Sequence, residues 1–321
     1  MSFQNIINQA VIDGVVPGVS YAIVTEDTIQ CHYVGHLGSL KPFDTMPLNG
    51  NYRYDLASCS KVIGTTVRIL QLIEQGKLAF DQSVQSVLPR FRFAEVTIAN
   101  LLLHNSGLPG EMKNKYELNA ENIVDKIYAV DLIHPVGKVT EYSDIGYILL
   151  GFIVEVIDQL GLNDSFQQHI FHPLKMMNTG YIVSDKSLCV PTEVHPKRGL
   201  IQGETHDSKG WLLKQGGSSG IFATLTDVSI FVQSFLRCEK FVLSKDTIEL
   251  LLNTEYGGRT YGWLTTYGKH TLYHTGFTGT SILLDFNRKK GLVLLTNRVH
   301  PNRDNQQYLN IRNIINDVFM K

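Results

Sequence analysis

The chain has 321 residues, 43% of them hydrophobic and 18% charged, which is typical of a globular protein with a complete apolar core. Its formal net charge is −1 and it contains no run of like charges, so we expect no nucleic-acid partner. The most apolar stretch, residues 147–157, is shorter than the roughly 20 residues of a membrane span, so no span is expected.

The N-terminal residues contain neither the basic region nor the apolar region of a secretion signal. The four cysteines lie far apart and form no C-x-x-C pair, which argues against a zinc site and against a disulfide framework. We therefore expect a cytoplasmic protein with reduced thiols, no metal and no organic cofactor. Export is the alternative, because a chain trimmed of its signal peptide would show the same features.

Periodicity of the apolar residues predicts the first elements. A short amphipathic helix is expected over residues 3–14, followed by a β-hairpin with strands at Gly18–Thr25 and Thr28–Gly35. Residues 58–75 have the spacing of a helix, and Gly76 is placed to cap its C-terminus.

The clearest helical pattern covers residues 145–160, with Asp144 placed to cap its start and Gly161 its end. Residues 304–320 predict a closing helix. Between these two helices, from residue 257 onward, four runs separated by polar or glycine turns predict antiparallel strands: YGWLTTYG, HTLYHTG, TSILLDF and GLVLLTN.

Strands at both ends of the chain with helices between them predict a mixed α/β (α+β) fold. One antiparallel sheet would be built from both termini and flanked by helices, with a mainly helical lobe inserted. We expect residues 1–321 to form a single domain. Within it, residues 1–57 plus 216–321 are the predicted sheet lobe, and residues 58–215 the predicted helical lobe.

Ser58 and Lys61 form a Ser-x-x-Lys element at a predicted helix start. Residues i and i+3 share a helix face, so Lys61 Nζ reaches the Ser58 hydroxyl. A semi-buried lysine has a lowered pKa, and as a neutral amine it can serve as the base for Ser58. The helix-end N–H groups would stabilise an oxyanion. Because roughly one such element is expected by chance in a chain of this length, a plain helix start is the alternative.

Tyr142 and Asp144 precede the strongest helix, where polar groups converge on a cleft. In a functional interpretation, the Tyr142 phenol moves a proton between nucleophile and leaving group, and Asp144 orients Lys61. In the structural alternative, Asp144 is simply the N-cap.

His274, Thr275 and Gly276 end a predicted strand, and the glycine would let a substrate lie close along that strand. A simple turn is the alternative for this tripeptide. The three elements nevertheless occur in one chain in a fixed order, separated by 84 and 132 residues.

In this combination the chain resembles class C β-lactamases, low-molecular-weight D,D-peptidases and the esterases that share their fold. The resemblance extends over nearly the whole chain and includes PGVSYAIV at 17–24, LASCSK at 56–61, TIANLLLHNSGLP at 97–109, YSDIGYILLG at 142–151, GGSSGIFATLTDV at 216–228, HTGFTGTS at 274–281 and LTNRVHP at 295–301.

The resemblance implies a β-lactamase-like fold and a serine hydrolase that acts through an acyl-enzyme on Ser58. Lys61 and Tyr142 would move protons, and residues 274–276 would bind the carboxylate side of the substrate. The backbone N–H groups of Ser58 and Phe277 would form the oxyanion hole, with the bulky Phe277 narrowing the acyl pocket. The implied substrate is a small ester, an amide or a D-amino-acid peptide, and a β-lactam is an implied covalent ligand.

Two departures from the family pattern bear on the activity. Asp144 stands where the family has asparagine, and a carboxylate there raises the pKa of Lys61 by charge pairing. His274 stands where the strand often carries lysine, so carboxylate binding weakens when the imidazole is neutral. Efficient β-lactamase activity is therefore not expected. A D,D-carboxypeptidase or weak β-lactamase is one alternative, and a catalytically weak ligand-sensing or self-assembling protein is another.

Other chemically active side chains receive structural interpretations. On a helix Cys59 points about 100° away from Ser58 and is expected in the core. His104 is expected to be structural. The pairs His206-Asp207 and Arg298-His300 resemble segments that border the cleft in one hydrolase subgroup, with turn and strand-end hydrogen bonding as the alternative.

Overall fold

The computed structural model describes residues 2–112, 117–239 and 242–321. Its main sheet has five strands in the order β2-β1-β9-β8-β7, and all neighbours are antiparallel. The strands are β1 (Gly18–Thr25), β2 (Ile29–Gly35), β3 (Arg53–Asp55), β4 (Val194–His195), β5 (Gly199–Leu200), β6 (Phe222–Thr224), β7 (Thr271–Thr275), β8 (Ser281–Asp285) and β9 (Lys290–Thr296). The predicted sheet built from both chain ends is confirmed.

The remaining strands form two small pairs, β3 with β6 and β4 with β5. The helices are α1 (Phe3–Ile12), α2 (Thr66–Glu74), α3 (Val84–Val87), α4 (Ile98–Leu102), α5 (Ile123–Tyr128), α6 (Asp144–Asp158), α7 (Leu162–Phe166), α8 (Ser208–Leu213), α9 (Leu225–Leu236), α10 (Lys245–Asn253) and α11 (Gln307–Phe319). The predicted division into two sublobes stays a prediction.

The two faces of the sheet bury different helices because strand side chains alternate in direction. Tyr21 of β1 lies opposite Leu294 of β9, and both belong to the core beneath α1 and α11. The next pair, Ala22 and Val293, belongs to the larger core on the other face. There α9 contributes buried phenylalanines, such as Phe231, each stabilising the fold by about 1.5–3 kcal/mol.

Three predicted helices have different boundaries in the structure. Residues 58–75 do not form one α-helix: a 3-10 turn (Ala57–Cys59) and a π-helical turn (Lys61–Thr65) precede α2. Gly76 does follow the last turn of α2 with φ +67°, as predicted. The first and last helices are shorter than expected, at Phe3–Ile12 and Gln307–Phe319.

Helix α6 has different caps from those predicted. Its N-cap is Ser143, whose side chain accepts a hydrogen bond from Gly146 N, so Asp144 is the first residue inside the helix. At the other end Gln159 takes the left-handed conformation, and Gly161 is instead the N-cap of α7. Asp144 is thereby free to form ion pairs elsewhere.

The run YGWLTTYG, at residues 261–268, is not a strand. Gly262 and Gly268 both have positive φ, so the segment bends, and Leu264 alone of its residues forms bridges, to Arg259 and to Tyr273. Trp263 is completely buried there, which accounts for the apolar character that resembled a strand.

Among the described residues, no single helix is long and apolar enough to cross a membrane, although the bent pair Asp144–Asp158 and Leu162–Phe171 meets those criteria together. No group of three or more His, Cys, Asp or Glu side chains in the described ranges is arranged to hold a metal ion.

Candidate active site

Ser58 lies on a sharp turn between β3 and the helix that follows. Ala57 has φ 46°, an unfavourable value for a residue with a Cβ, and its N–H donates to Asp55 Oδ1 at 2.8 Å. Leu56 N donates to Ile221 O at 3.0 Å, which holds the turn against the chain leading into β6. The turn leaves Ser58 partly exposed while its neighbours are buried.

The Lys61 ammonium is completely buried and donates three hydrogen bonds. Its acceptors are Ser58 Oγ at 3.1 Å, Asp144 Oδ1 at 2.7 Å and Ser218 O at 2.8 Å. All three N–H groups are thus used, and the lysine is fixed beside the Ser58 hydroxyl.

Charge pairing keeps both members of the Lys61–Asp144 pair ionised. Burial lowers the pKa of Lys61, but the Asp144 carboxylate and the Tyr142 side chain together more than offset burial, and the net direction is upward. Burial raises the pKa of Asp144, but Lys61 and Lys209 together bring that pKa below its usual range. The predicted effect of aspartate in this position is confirmed. Since Lys61 is protonated at rest, it must lose a proton before it acts as a base.

The Tyr142 ring lies among four nitrogen-containing side chains. Lys61 Nζ is 4.9 Å from its ring centroid and Arg259 Cζ is 5.3 Å away. The rings of His104 and His274 lie with centroids 4.6 Å and 6.3 Å from that of Tyr142. Two cations therefore lie beside the Tyr142 ring, and Tyr142 is 37% exposed.

His274 is buried and neutral. Burial, together with the charges of Lys61 and Arg259, holds its pKa well below the usual range. Its Nδ1 lies 3.0 Å from Thr275 O, and its buried Nε2 has no hydrogen-bond partner in the described part of the chain. As expected from the replacement of lysine, this strand supplies no positive charge of its own.

Gly276 and Phe277 form the turn that ends β7. Gly276 N donates to Thr280 O at 2.8 Å, and a Cβ on Gly276 would come within 2.5 Å of Leu56 O. Only glycine therefore lets this strand end approach the Ser58 turn so closely. The Phe277 side chain is 48% exposed and stacks on His206, with ring centroids 5.5 Å apart.

The two predicted oxyanion-hole donors are free. Within residues 2–112, 117–239 and 242–321, neither Ser58 N nor Phe277 N donates a hydrogen bond. They lie on the two turns that Gly276 brings together. An oxyanion placed between them would accept hydrogen bonds from both N–H groups, which is the stabilisation that acyl transfer requires.

Two cations and one hydrogen-bond acceptor of the site were not predicted from the sequence. Lys209 lies 3.1 Å from Asp144 Oδ2, so Asp144 bridges two lysines. Arg259 is largely buried beside Tyr142, and its Nη1 has no partner among the described residues. The third is the carbonyl of Ser218, which accepts from Lys61. None of these carries a local signal, because each reaches the site through long-range packing.

The other candidates have mostly structural contacts. Cys59 is fully buried, burial raises the pKa of its thiol to about 12, and its sulfur faces His274 O and Thr280. His104 Nδ1 accepts from Ser143 N at 3.0 Å, the structural role predicted for it. Asp207 caps α8 by accepting from the N–H of Gly210.

The two segments predicted to border the cleft are held by hydrogen bonds and a ring contact. His206 Nε2 lies 2.9 Å from Glu193 Oε2, and Arg298 Cζ is 4.7 Å from the Phe277 ring centroid. His300 Nδ1 lies 2.7 Å from Thr192 O. The hydrogen-bonding alternative for these segments is therefore observed, and their role in bordering the cleft stays a prediction.

A lysine fixed beside a serine on a strained turn, facing free N–H groups, defines a serine hydrolase of the acyl-transfer type. The family model described as Beta-lactamase matches residues 3–314, and the chain belongs to that family.

Three proteins that are similar to this chain have names that describe hydrolases. The N-acetylmuramyl-L-alanine amidase of Bacillus subtilis is 27% identical, over 77% of this chain and 68% of its own length. A putative D-alanyl-D-alanine carboxypeptidase of Escherichia coli is 26% identical, over 80% and 72%. EstCE1, a hydrolase with promiscuous acyltransferase activity, superposes with a TM-score of 0.80 at 19% identity, covering 99% of this chain and 97% of that one. The recognised family and its hydrolase class are thereby confirmed.

Proposed function

We propose that Ser58 is the nucleophile of this hydrolase and that it cleaves a small ester or amide. The observation that carries the proposal is the 3.1 Å hydrogen bond between Lys61 Nζ and Ser58 Oγ at a turn with free backbone donors. Ser58 Oγ bonds to the substrate carbonyl carbon while the oxyanion lies between Ser58 N and Phe277 N.

The proton of Ser58 passes to Lys61 once that lysine is neutral. Tyr142 gives its own proton to the leaving oxygen or nitrogen as the bond to the acyl carbon breaks, and regains a proton from Lys61, which becomes neutral again. Water then attacks the Ser58 ester by the same route in reverse, releasing the acid and restoring the serine. Asp144 orients Lys61 throughout through its 2.7 Å hydrogen bond.

Arg259 favours a D,D-carboxypeptidase as the second candidate. It lies beside Tyr142, and no carboxylate of the described chain forms an ion pair with it. Because His274 is neutral, Arg259 is the cation available to a substrate carboxylate on this side of the site. We expect Arg259→Met to raise KM about 10-fold or more for a D-amino-acid peptide while leaving KM for a neutral ester unchanged. Equal changes for both substrates would remove Arg259 from carboxylate recognition.

Incubation with a penicillin and, separately, with a p-nitrophenyl ester distinguishes the candidates by intact mass and product release. Ester turnover without a stable penicilloyl adduct supports the esterase or amidase. A stable adduct that needs Ser58 supports the peptidase. Neither reaction would instead favour the ligand-sensing or self-assembling alternative. The cytoplasmic location stays a prediction.

A further inference from the structure

Two arginines are buried behind the active-site turn without any acidic partner. Arg298, just after β9, is 2% exposed, and Arg312, on α11, is 8% exposed. All aspartates and glutamates of the chain belong to the described residues, and none forms an ion pair with either arginine. Burying a guanidinium without a counter-charge is costly, so two in one region call for a compensating negative charge.

The hydrogen bonds of the two arginines leave donors unused. Arg298 Nη1 donates to Arg303 O at 3.4 Å and to Asn305 O at 2.9 Å, and Arg312 Nη1 lies 3.5 Å from Thr280 O. The Nε groups of Arg298 and Arg312 are both buried and have no partner in the described part of the chain.

Tyr308 adds a third buried donor, a hydroxyl, in the same region. It precedes Arg312 by one helical turn on α11 and is completely buried, and its hydroxyl also has no partner among the described residues. Burial raises the pKa of Tyr308 to about 12, while the charges of Arg312 and Arg298 act in the opposite direction. The positive charges of both arginines thus act on the Tyr308 hydroxyl.

We infer that Arg298, Arg312 and Tyr308 form a buried site for a small monovalent anion of the halide class. The two Nε–H groups and the Tyr308 hydroxyl donate to it, and it balances two positive charges. A water molecule accepts only two hydrogen bonds and carries no charge, so it would leave one donor and both charges uncompensated.

The site adjoins the turn that carries Phe277. A Cβ on Gly279 would lie 3.2 Å from Arg298 Cγ, and Arg312 contacts Thr280 O, which also accepts from Gly276 N. An anion here would hold both arginines against the back of this turn. If the proposed function holds, removal of the anion should also lower kcat/KM, but the binding measurements below are independent of catalysis.

Thermal unfolding in sodium chloride and in sodium gluconate, at equal ionic strength, tests the site because gluconate is too large to enter it. We expect Tm to rise with chloride and saturate, by about 2 °C at a tenfold excess over Kd for a chain of this length. Arg312→Met should lose this rise, whereas Arg90→Met, which removes an exposed arginine paired with Asp125, should keep it. The same Tm in both salts, or a full chloride response in Arg312→Met, would overturn the inference.

Crystals of the wild-type protein soaked in sodium bromide give a second test that needs no variant. We expect an anomalous peak in contact with Nε of Arg298 and Nε of Arg312. Crystals without bromide scattering between these two groups would overturn the inference even if Arg312→Met failed to fold.

Discussion

Replacing Lys209 with glutamine removes the second cation from Asp144 and tests whether Lys61 is the base. Asp144 lies 2.7 Å from Lys61 through Oδ1 and 3.1 Å from Lys209 through Oδ2. One carboxylate therefore holds the two ammonium nitrogens no more than about 8 Å apart, where their repulsion at an effective dielectric constant of about 20 is about 2 kcal/mol. Without this repulsion, Lys61 binds its proton more tightly.

We expect the acid limb of the pH profile of kcat/KM to move to higher pH by about 1 to 1.5 units in Lys209→Gln, since one unit corresponds to about 1.4 kcal/mol. At a fixed pH on that limb the rate should fall about 10- to 30-fold. Hydrolysis of a p-nitrophenyl ester across neutral and alkaline pH measures this shift.

Lys245→Gln is the matched control, because Lys245 is an exposed lysine whose ammonium lies 3.6 Å from Glu249 on α10, and its profile should equal that of the wild type. An unchanged profile in Lys209→Gln, or a shift to lower pH, would refute the reasoning that Lys209 acts on Lys61 through Asp144.

Asp144→Asn should move the same acid limb to lower pH, because burial then dominates the pKa of Lys61; a shift in the other direction in the same ester assay would contradict the charge-pair account. Wild-type kcat/KM should rise with pH from neutrality into the alkaline range as Lys61 loses its proton, and a rate that falls over that range would exclude neutral Lys61 as the base. Arg68→Met should lower the free energy of unfolding by about 3–5 kcal/mol in denaturant titrations, since it leaves the buried Asp158 carboxylate unpaired; a loss under about 1 kcal/mol would show that the pair is dispensable.

The sequence predicts those helices and strands whose side chains are buried in a regular pattern along the chain. The hairpin β1–β2 and the strands β7, β8 and β9 each bury one or both faces, so their apolar residues are visible as strand runs. The strand predicted at residues 261–268 is wrong, because Trp263 is buried within a loop and Gly262 and Gly268 bend the backbone. Apolar content alone does not distinguish such a loop from a strand.

The caps of α6 show a similar limit. Both Ser143 and Asp144 are good N-cap residues, and the sequence does not show which one is needed for tertiary contacts. In the structure Asp144 is held by two lysines, so Ser143 takes the cap. Ser58, Lys61 and Asp144 were predicted from motif order, whereas Lys209, 65 residues beyond Asp144 in the chain, has no motif that links it to the site.

Mapping the acyl group formed with a slowly hydrolysed activated ester tests most directly whether Ser58 is the nucleophile. We predict one acyl group per chain, located on the peptide that contains Ser58. It should be absent from Ser58→Ala and present in Ser60→Ala, since Ser60 is a buried neighbour whose hydroxyl accepts from Ile221 N. Equal labelling of Ser58→Ala, or an acyl group on any other residue, would contradict the assignment of Ser58 as nucleophile.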